Sequence, residues 1–135
     1  MTIIRRRGTV IVETAKGILV ASRRKKIFLL PGGGAKKWES RRRVAIRELK
    51  EETGLKAYYW RYLFTYHEPK YTLKGKKRKI MNLHKVFLIK AHGIPKPNYR
   101  DVKYISYYRP GNKFPKISRM TEIIIDKYLK EYKQY

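Results

Sequence analysis

Residues 33–55 read GGAKKWESRRRVAIRELKEETGL: a glycine run, a basic loop and then a helix-forming segment. The chain has ten acidic residues against 35 Lys and Arg, a formal charge of +25. Four of those ten, Glu39, Glu48, Glu51 and Glu52, nevertheless fall between positions 39 and 52. From Ser40 to about Thr53 the pattern is helical. At about 100° per residue, Ala45, Ile46, Leu49 and Thr53 share a face able to pack on a core. Glu48, Glu51 and Glu52, at i, i+3 and i+4, gather on another face. Gly54 stands where a C-cap glycine belongs.

Three carboxylates on one helical face repel one another and weaken the helix unless a cation comes between them. Hard divalent ions such as Mg²⁺ and Mn²⁺ prefer oxygen ligands and suit that set. The run PGGG at 31–34 can bring backbone groups close to a metal or a phosphate. Carboxylates holding a hydrated ion beside a basic surface suit hydrolysis of a phosphoanhydride by metal-activated water. Basic side chains would then hold the phosphates and the transition-state charge. The plainer alternative is a solvent-facing helix in which Arg47 pairs with Glu51 and Lys50 is exposed.

With 135 residues and 42% apolar content, the chain is expected to form one folded domain spanning 1–135. No run approaches the roughly 18–20 apolar residues of a membrane span. The N-terminus lacks the apolar stretch of a secretion signal, and cysteine is absent, which excludes disulfides and thiolate metal sites. These features fit a cytoplasmic protein with no membrane partner. The charge favours polyanionic partners such as nucleotides or nucleic acid. A general Lys-rich, Tyr-rich habit of the genome is the alternative source of that charge.

Along the chain, 3–13 reads as a strand, AKG at 15–17 as a turn, and 18–22 as a second strand. IFLL at 27–30 reads as a short buried strand stopped by Pro31 and its glycines. Aromatic-rich 56–69 and then 81–91 read as strands flanking an exposed basic tip at 73–79. HGIPKPNYR is an irregular loop, 102–108 a strand, and a last helix starts near Ser118. In that helix Met120, Ile123, Ile124, Tyr128 and Leu129 face inward. Strands around two helices far apart in sequence predict an α/β fold with a mixed sheet between helices.

The full spacing is Gly33-x5-Glu39-x7-Arg47-Glu48-Leu49-x-Glu51-Glu52-x-Gly54-Leu55. It resembles the Nudix box, G-x5-E-x7-R-E-U-x-E-E-x-G-U with U bulky and aliphatic, at every specified position. The resemblance implies an α/β/α sandwich and a Mg²⁺- or Mn²⁺-dependent hydrolase. Its substrate would be a nucleoside diphosphate linked to another group, attacked by water at phosphorus. Glu48, Glu51 and Glu52 would be metal ligands, with the Gly32 carbonyl as a fourth contact. Glu39 and Glu48 would compete to orient or deprotonate water, and Arg47 would brace the carboxylates. Homodimers are common in folds of this family, though no interface stands out here.

Other signals are weaker. Of the basic residues at 5–7 and 23–26, Arg23 and Lys25 are candidates to clamp phosphates. Asp101, and Glu68 beside His67, are the candidates for a further acid from beyond the box. Tyr71 and Pro69 fall near offsets that accompany dinucleoside polyphosphate and ADP-ribose hydrolysis in relatives. Trp38 is expected to pack rather than stack on a base. Most of Tyr58, Tyr59, Trp60, Tyr62, Phe64 and Tyr66 are expected in the core. His84 and His92 read as structural or exposed. Two alternatives to small-nucleotide hydrolysis remain: pyrophosphohydrolysis at an RNA 5′ end, and nucleic-acid binding with a vestigial box.

Overall fold

The computed structural model describes residues 2–72, 75 and 77–133. Residues 73, 74 and 76 of the expected basic tip lie outside the described residues. The elements in order are β1 (Thr2–Ile11), β2 (Glu13–Thr14), β3 (Gly17–Ser22), β4 (Gly32–Gly34), α1 (Arg41–Thr53), β5 (Lys56–His67), β6 (Tyr71–Thr72), β7 (Lys79–His92), β8 (Tyr104–Tyr108) and α2 (Arg119–Lys127). A π-helical turn, Tyr128–Tyr132, continues α2.

One sheet runs β4-β1-β7-β5, with β6 also on β7; the other runs β2-β3-β8. β1 and β7 are parallel, and the other pairs are antiparallel, so the larger sheet is mixed. Alternation along the strands sends side chains to two apolar clusters. Val10, Val12, Leu19, Phe87 and Ile89 meet Ala45 and Leu49 of α1. Ile11, Ile18, Val20 and Val86 meet Ile124, Ile125 and Tyr128 on the α2 side. Strands covered on both faces read as continuous apolar runs, which is why VIV at 10–12 shows no polar alternation. The expected sandwich of a mixed sheet between helices is therefore what forms.

α1 begins and ends where the sequence predicts. The Ser40 hydroxyl accepts from the Arg43 N–H, and Gly54 closes the helix at φ 78°, its N–H donating to the Lys50 carbonyl. Gly8 lets the helix settle on β1: a Cβ there would lie 2.9 Å from the Ala45 nitrogen.

Four local expectations change. Residues 27–30 form isolated bridges, Ala21 with Leu29 and Phe28 with Ile117, rather than a strand, and only Phe28 and Leu30 are buried. The strand is Gly32–Gly34 instead: a Cβ on Gly32 would strike the Gly8 carbonyl of β1, and one on Gly33 the Glu48 side chain, while Gly34 has open space. In α2, Ser118 does cap, but Ile125 is fully buried while Ile123 is only half-buried. In β5 the aromatics are mostly not core: Phe64 is buried, whereas Tyr58, Tyr59, Trp60 and Tyr62 are exposed. β5 lies at the end of the sheet order, so helices that cover the central strands leave much of it open. Among the described residues no helix is long and apolar enough to cross a membrane.

Candidate active site

Arg47 organises the N-terminal half of the acidic cluster. Its Nε and Nη2 donate to Glu39 at 2.7 and 2.9 Å, a two-pronged grip, and its Nη1 donates to Glu48 at 2.9 Å. The same Nη1 lies 3.3 Å from Glu51 one helical turn on. The guanidinium bond holds the Glu39 carboxyl down at about 2, and Glu39 in turn raises the pKa of Arg47. Arg47 thus bridges three of the four glutamates.

Glu48 and Glu52 point inward and pay for it electrostatically. Burial raises the Glu48 pKa, with Arg47 opposing and neighbouring Glu51 adding to the rise. Gly33 is what admits Glu48, since a Cβ there would come within 2.6 Å of its Cδ. Burial pushes Glu52 up to about 7, with the Glu48 and Asp101 charges adding to it. The Gly32 N–H, donating to Glu52 Oε1 at 3.0 Å, and the Arg7 charge both oppose that rise. Among the described residues no three acidic or histidine side chains stand as a ready-made ligand cluster. Glu48 and Glu51 turn to Arg47, and Glu52 to Gly32.

Glu52 lines a cavity of about 450 Å³, within the usual range for small-molecule sites. Arg7, Arg23, Arg24 and Lys26 are cationic groups of its wall, and Asp101 and Gly32 line it as well. Ser22 shapes the basic turn: its hydroxyl accepts from the Arg24 and Lys25 N–H groups and donates to the Ile27 carbonyl. Lys25 is not part of the cavity wall; it adopts φ 61° and its ammonium lies over the Tyr104 ring. Tyr71 lies on β6 and also lines no part of this cavity. Trp38, expected to pack, is 83% exposed.

Two contributors escaped the sequence reading. Asn98 pins the loop before β8: its Oδ1 accepts from the N–H groups of Arg100, Asp101 and Val102, and its Nδ2 donates to the Glu51 carbonyl. That clip holds Asp101 near Glu52, and an Asn before an Arg-Asp pair in a loop was its only sequence signal. His84, paired in register with Arg7, lines the cavity from β7 and is buried. Its Nδ1 shares a 2.9 Å hydrogen bond with Thr9, and Glu68 Oε1 lies 3.5 Å from its Nε2. Glu68 therefore faces His84 and Asn82 rather than its neighbour His67. His92 is exposed and stacks on Tyr58.

The NUDIX domain family model matches residues 4–117. A crystal structure of a nudix hydrolase family member from Chromobacterium violaceum is 32% identical, with a TM-score of 0.74, covering 93% of this chain and 77% of that one. A MutT NUDIX hydrolase from Burkholderia pseudomallei shares the fold at 18% identity and a TM-score of 0.73, over 91% of this chain and 96% of that one. The Bacillus subtilis pyrophosphohydrolase BsRppH does so at 23% and 0.68, over 93% and 79%. No functionally curated protein matches the chain. With the box intact in sequence, its helix laid beside a nucleotide-sized cavity and the match extending through both sheets, the chain belongs to the Nudix family of hydrolases and is a pyrophosphohydrolase.

Proposed function

We propose that residues 1–135 act as one domain that hydrolyses a phosphoanhydride in a nucleoside diphosphate linked to another group. That class includes nucleotide sugars, dinucleoside polyphosphates and nucleoside triphosphates, with Mg²⁺ or Mn²⁺ as the cofactor. The observation that carries the reading is Glu52, the most deeply placed glutamate of the α1 face, in the wall of a cavity that also presents four cationic side chains.

The donor set fits a hard divalent ion. Glu48 is raised by burial and the Glu51 charge, Glu52 by burial and the Glu48 and Asp101 charges, and a cation relieves these effects. Glu48, Glu51 and Glu52, with the Gly32 carbonyl, would hold it. Bound there, the ion supplies Lewis acidity toward water and phosphate. Arg47 keeps the carboxylates in place. Glu39 is tied down by two bonds and held at about 2, so Glu48 is the better candidate to take a proton from water. Arg23, with Arg7, Arg24 and Lys26, would hold the phosphates, and Asp101 would act on the Glu52 side of the cavity.

A second reading, pyrophosphohydrolysis at a triphosphorylated RNA 5′ end, is supported by Arg7, which lines both this cavity and a wider basic groove. Both readings are tested by assaying ADP-ribose, diadenosine tetraphosphate, damaged nucleoside triphosphates and triphosphorylated RNA with Mg²⁺ and Mn²⁺. Turnover of a small nucleotide supports the first, and turnover restricted to RNA supports the second. No turnover on any substrate, together with salt-sensitive RNA binding, would sink both and leave a binding protein.

A further inference from the structure

The wider groove, about 890 Å³, lies where the sheet extends beyond the N-terminal end of α1. Its lining holds eight cationic side chains against one acid, Glu39, which Arg47 already neutralises. Arg6 and Lys85 rise from the sheet, Lys36 and Lys37 come from the loop, and Arg41 and Arg42 form the first turn of the helix. That turn contains no acid, although the helix macrodipole favours negative charge there. Cations placed against a local rule suit an anion brought by something else.

Charge alone would describe much of this surface; the aromatic floor does not follow from charge. Trp60 and Tyr62 stand on the α1 side of β5, 41% and 50% exposed, opposite Ile89 and Phe87. The Arg42 guanidinium lies 5.8 Å from the Trp60 ring, and the Lys85 ammonium 5.6 Å from Tyr62. Each cation lies over the face of its ring, so a base stacking there takes the cation's place or uses the opposite face. The displaced cation can meet that nucleotide's phosphate. Residues two apart in a strand are about 6.7 Å apart. That is about twice the ~3.4 Å rise per nucleotide of a stacked strand. Two adjacent bases can each take a ring only when unstacked from one another, which a duplex forbids and a single strand permits.

We propose that this groove binds a single-stranded polynucleotide, with Trp60 and Tyr62 stacking bases and the flanking cations taking the backbone phosphates. The groove shares Arg7 with the cavity, but its test is separate from that of the hydrolytic reading. Fluorescein-labelled U12 and dT12 with 5′-hydroxyl ends contain no phosphoanhydride, so their binding does not depend on what the enzyme cleaves.

Anisotropy titrations in EDTA should show one or both single strands bound at least about tenfold more tightly than a 12-bp duplex. Trp60→Ala/Tyr62→Ala should weaken that binding by about tenfold or more. Trp60→Phe/Tyr62→Phe should stay close to the wild type, and Lys113→Gln/Lys116→Gln, in the loop before α2, should change it little. Duplex binding as tight as single-strand binding would overturn the proposal. So would an alanine pair that binds like the wild type, or a loss as large in the Lys113/Lys116 variant. Should the alanine pair fail to fold, Trp38→Phe leaves Trp60 as the sole tryptophan. Quenching of its fluorescence by unlabelled dT12 supports the site, and binding without quenching refutes it.

Discussion

Glu39 and Glu52 belong to one motif and to opposite electrostatic worlds. Glu39, in the loop before α1, is gripped by Arg47 and held at about 2, ionised under any ordinary condition. Glu52, in the last turn, is half-buried with a single backbone donor and pushed up to about 7. The N-terminal end of the motif is already neutralised by the protein's own cation. The C-terminal end lacks a full counter-charge, and that is the end facing the cavity. The fold thus satisfies the charge of Glu39 and leaves that of Glu52 only partly opposed.

The largest expected effect tests that division directly. Glu52→Gln should lose metal-dependent turnover by more than the ~100-fold that loss of a mere supporting group costs, with circular dichroism unchanged. Retained activity would remove Glu52 from the metal site. Arg47→Ala should cost about 10- to 100-fold, because it frees Glu39, Glu48 and Glu51 from one brace without deleting a ligand. A loss as deep as that of Glu52→Gln would mean Arg47 acts on the substrate itself.

Gly8→Ala forces α1 off β1, and should lower unfolding free energy by about 1–3 kcal/mol in chemical denaturation. An unchanged midpoint would show that the helix can ride up without loss.

The smallest effects are pH-dependent, and the two ends carry opposite signs. Glu39 is lowered from 4.5, so its ionised form stabilises the fold; that contribution is complete above about 4.5 and is lost as pH falls through about 2. The melting-temperature gap between wild type and Arg47→Ala should therefore narrow over that range. Glu52 is raised from 4.5, so its neutral form suits the fold; that contribution is present below about 4.5 and is lost as pH rises through about 7. In metal-free buffer Glu52→Gln, neutral throughout, should melt with the wild type at pH 4 and a few degrees above it at pH 8. A gap that does not change with pH would contradict the burial of an ionisable Glu52.

The sequence by itself determined the box, the helix and its caps, and the acidic face, because these depend on spacings within about one to six turns of chain. Ser40, Gly54 and the glutamates act through neighbours close in sequence, so their pattern is legible without a fold. The order of strands, the exposure of Trp60 and Tyr62, and the second wall of the cavity were decided by tertiary structure. β5 looks apolar enough to be buried, but its end position in the sheet leaves its rings open. His84 meets Arg7 only because β1 and β7 pair in parallel, and Asp101 nears Glu52 only because Asn98 reaches the end of α1. Such meetings join residues tens of positions apart, and what sets them is which surfaces exclude water together, a property that no local spacing carries.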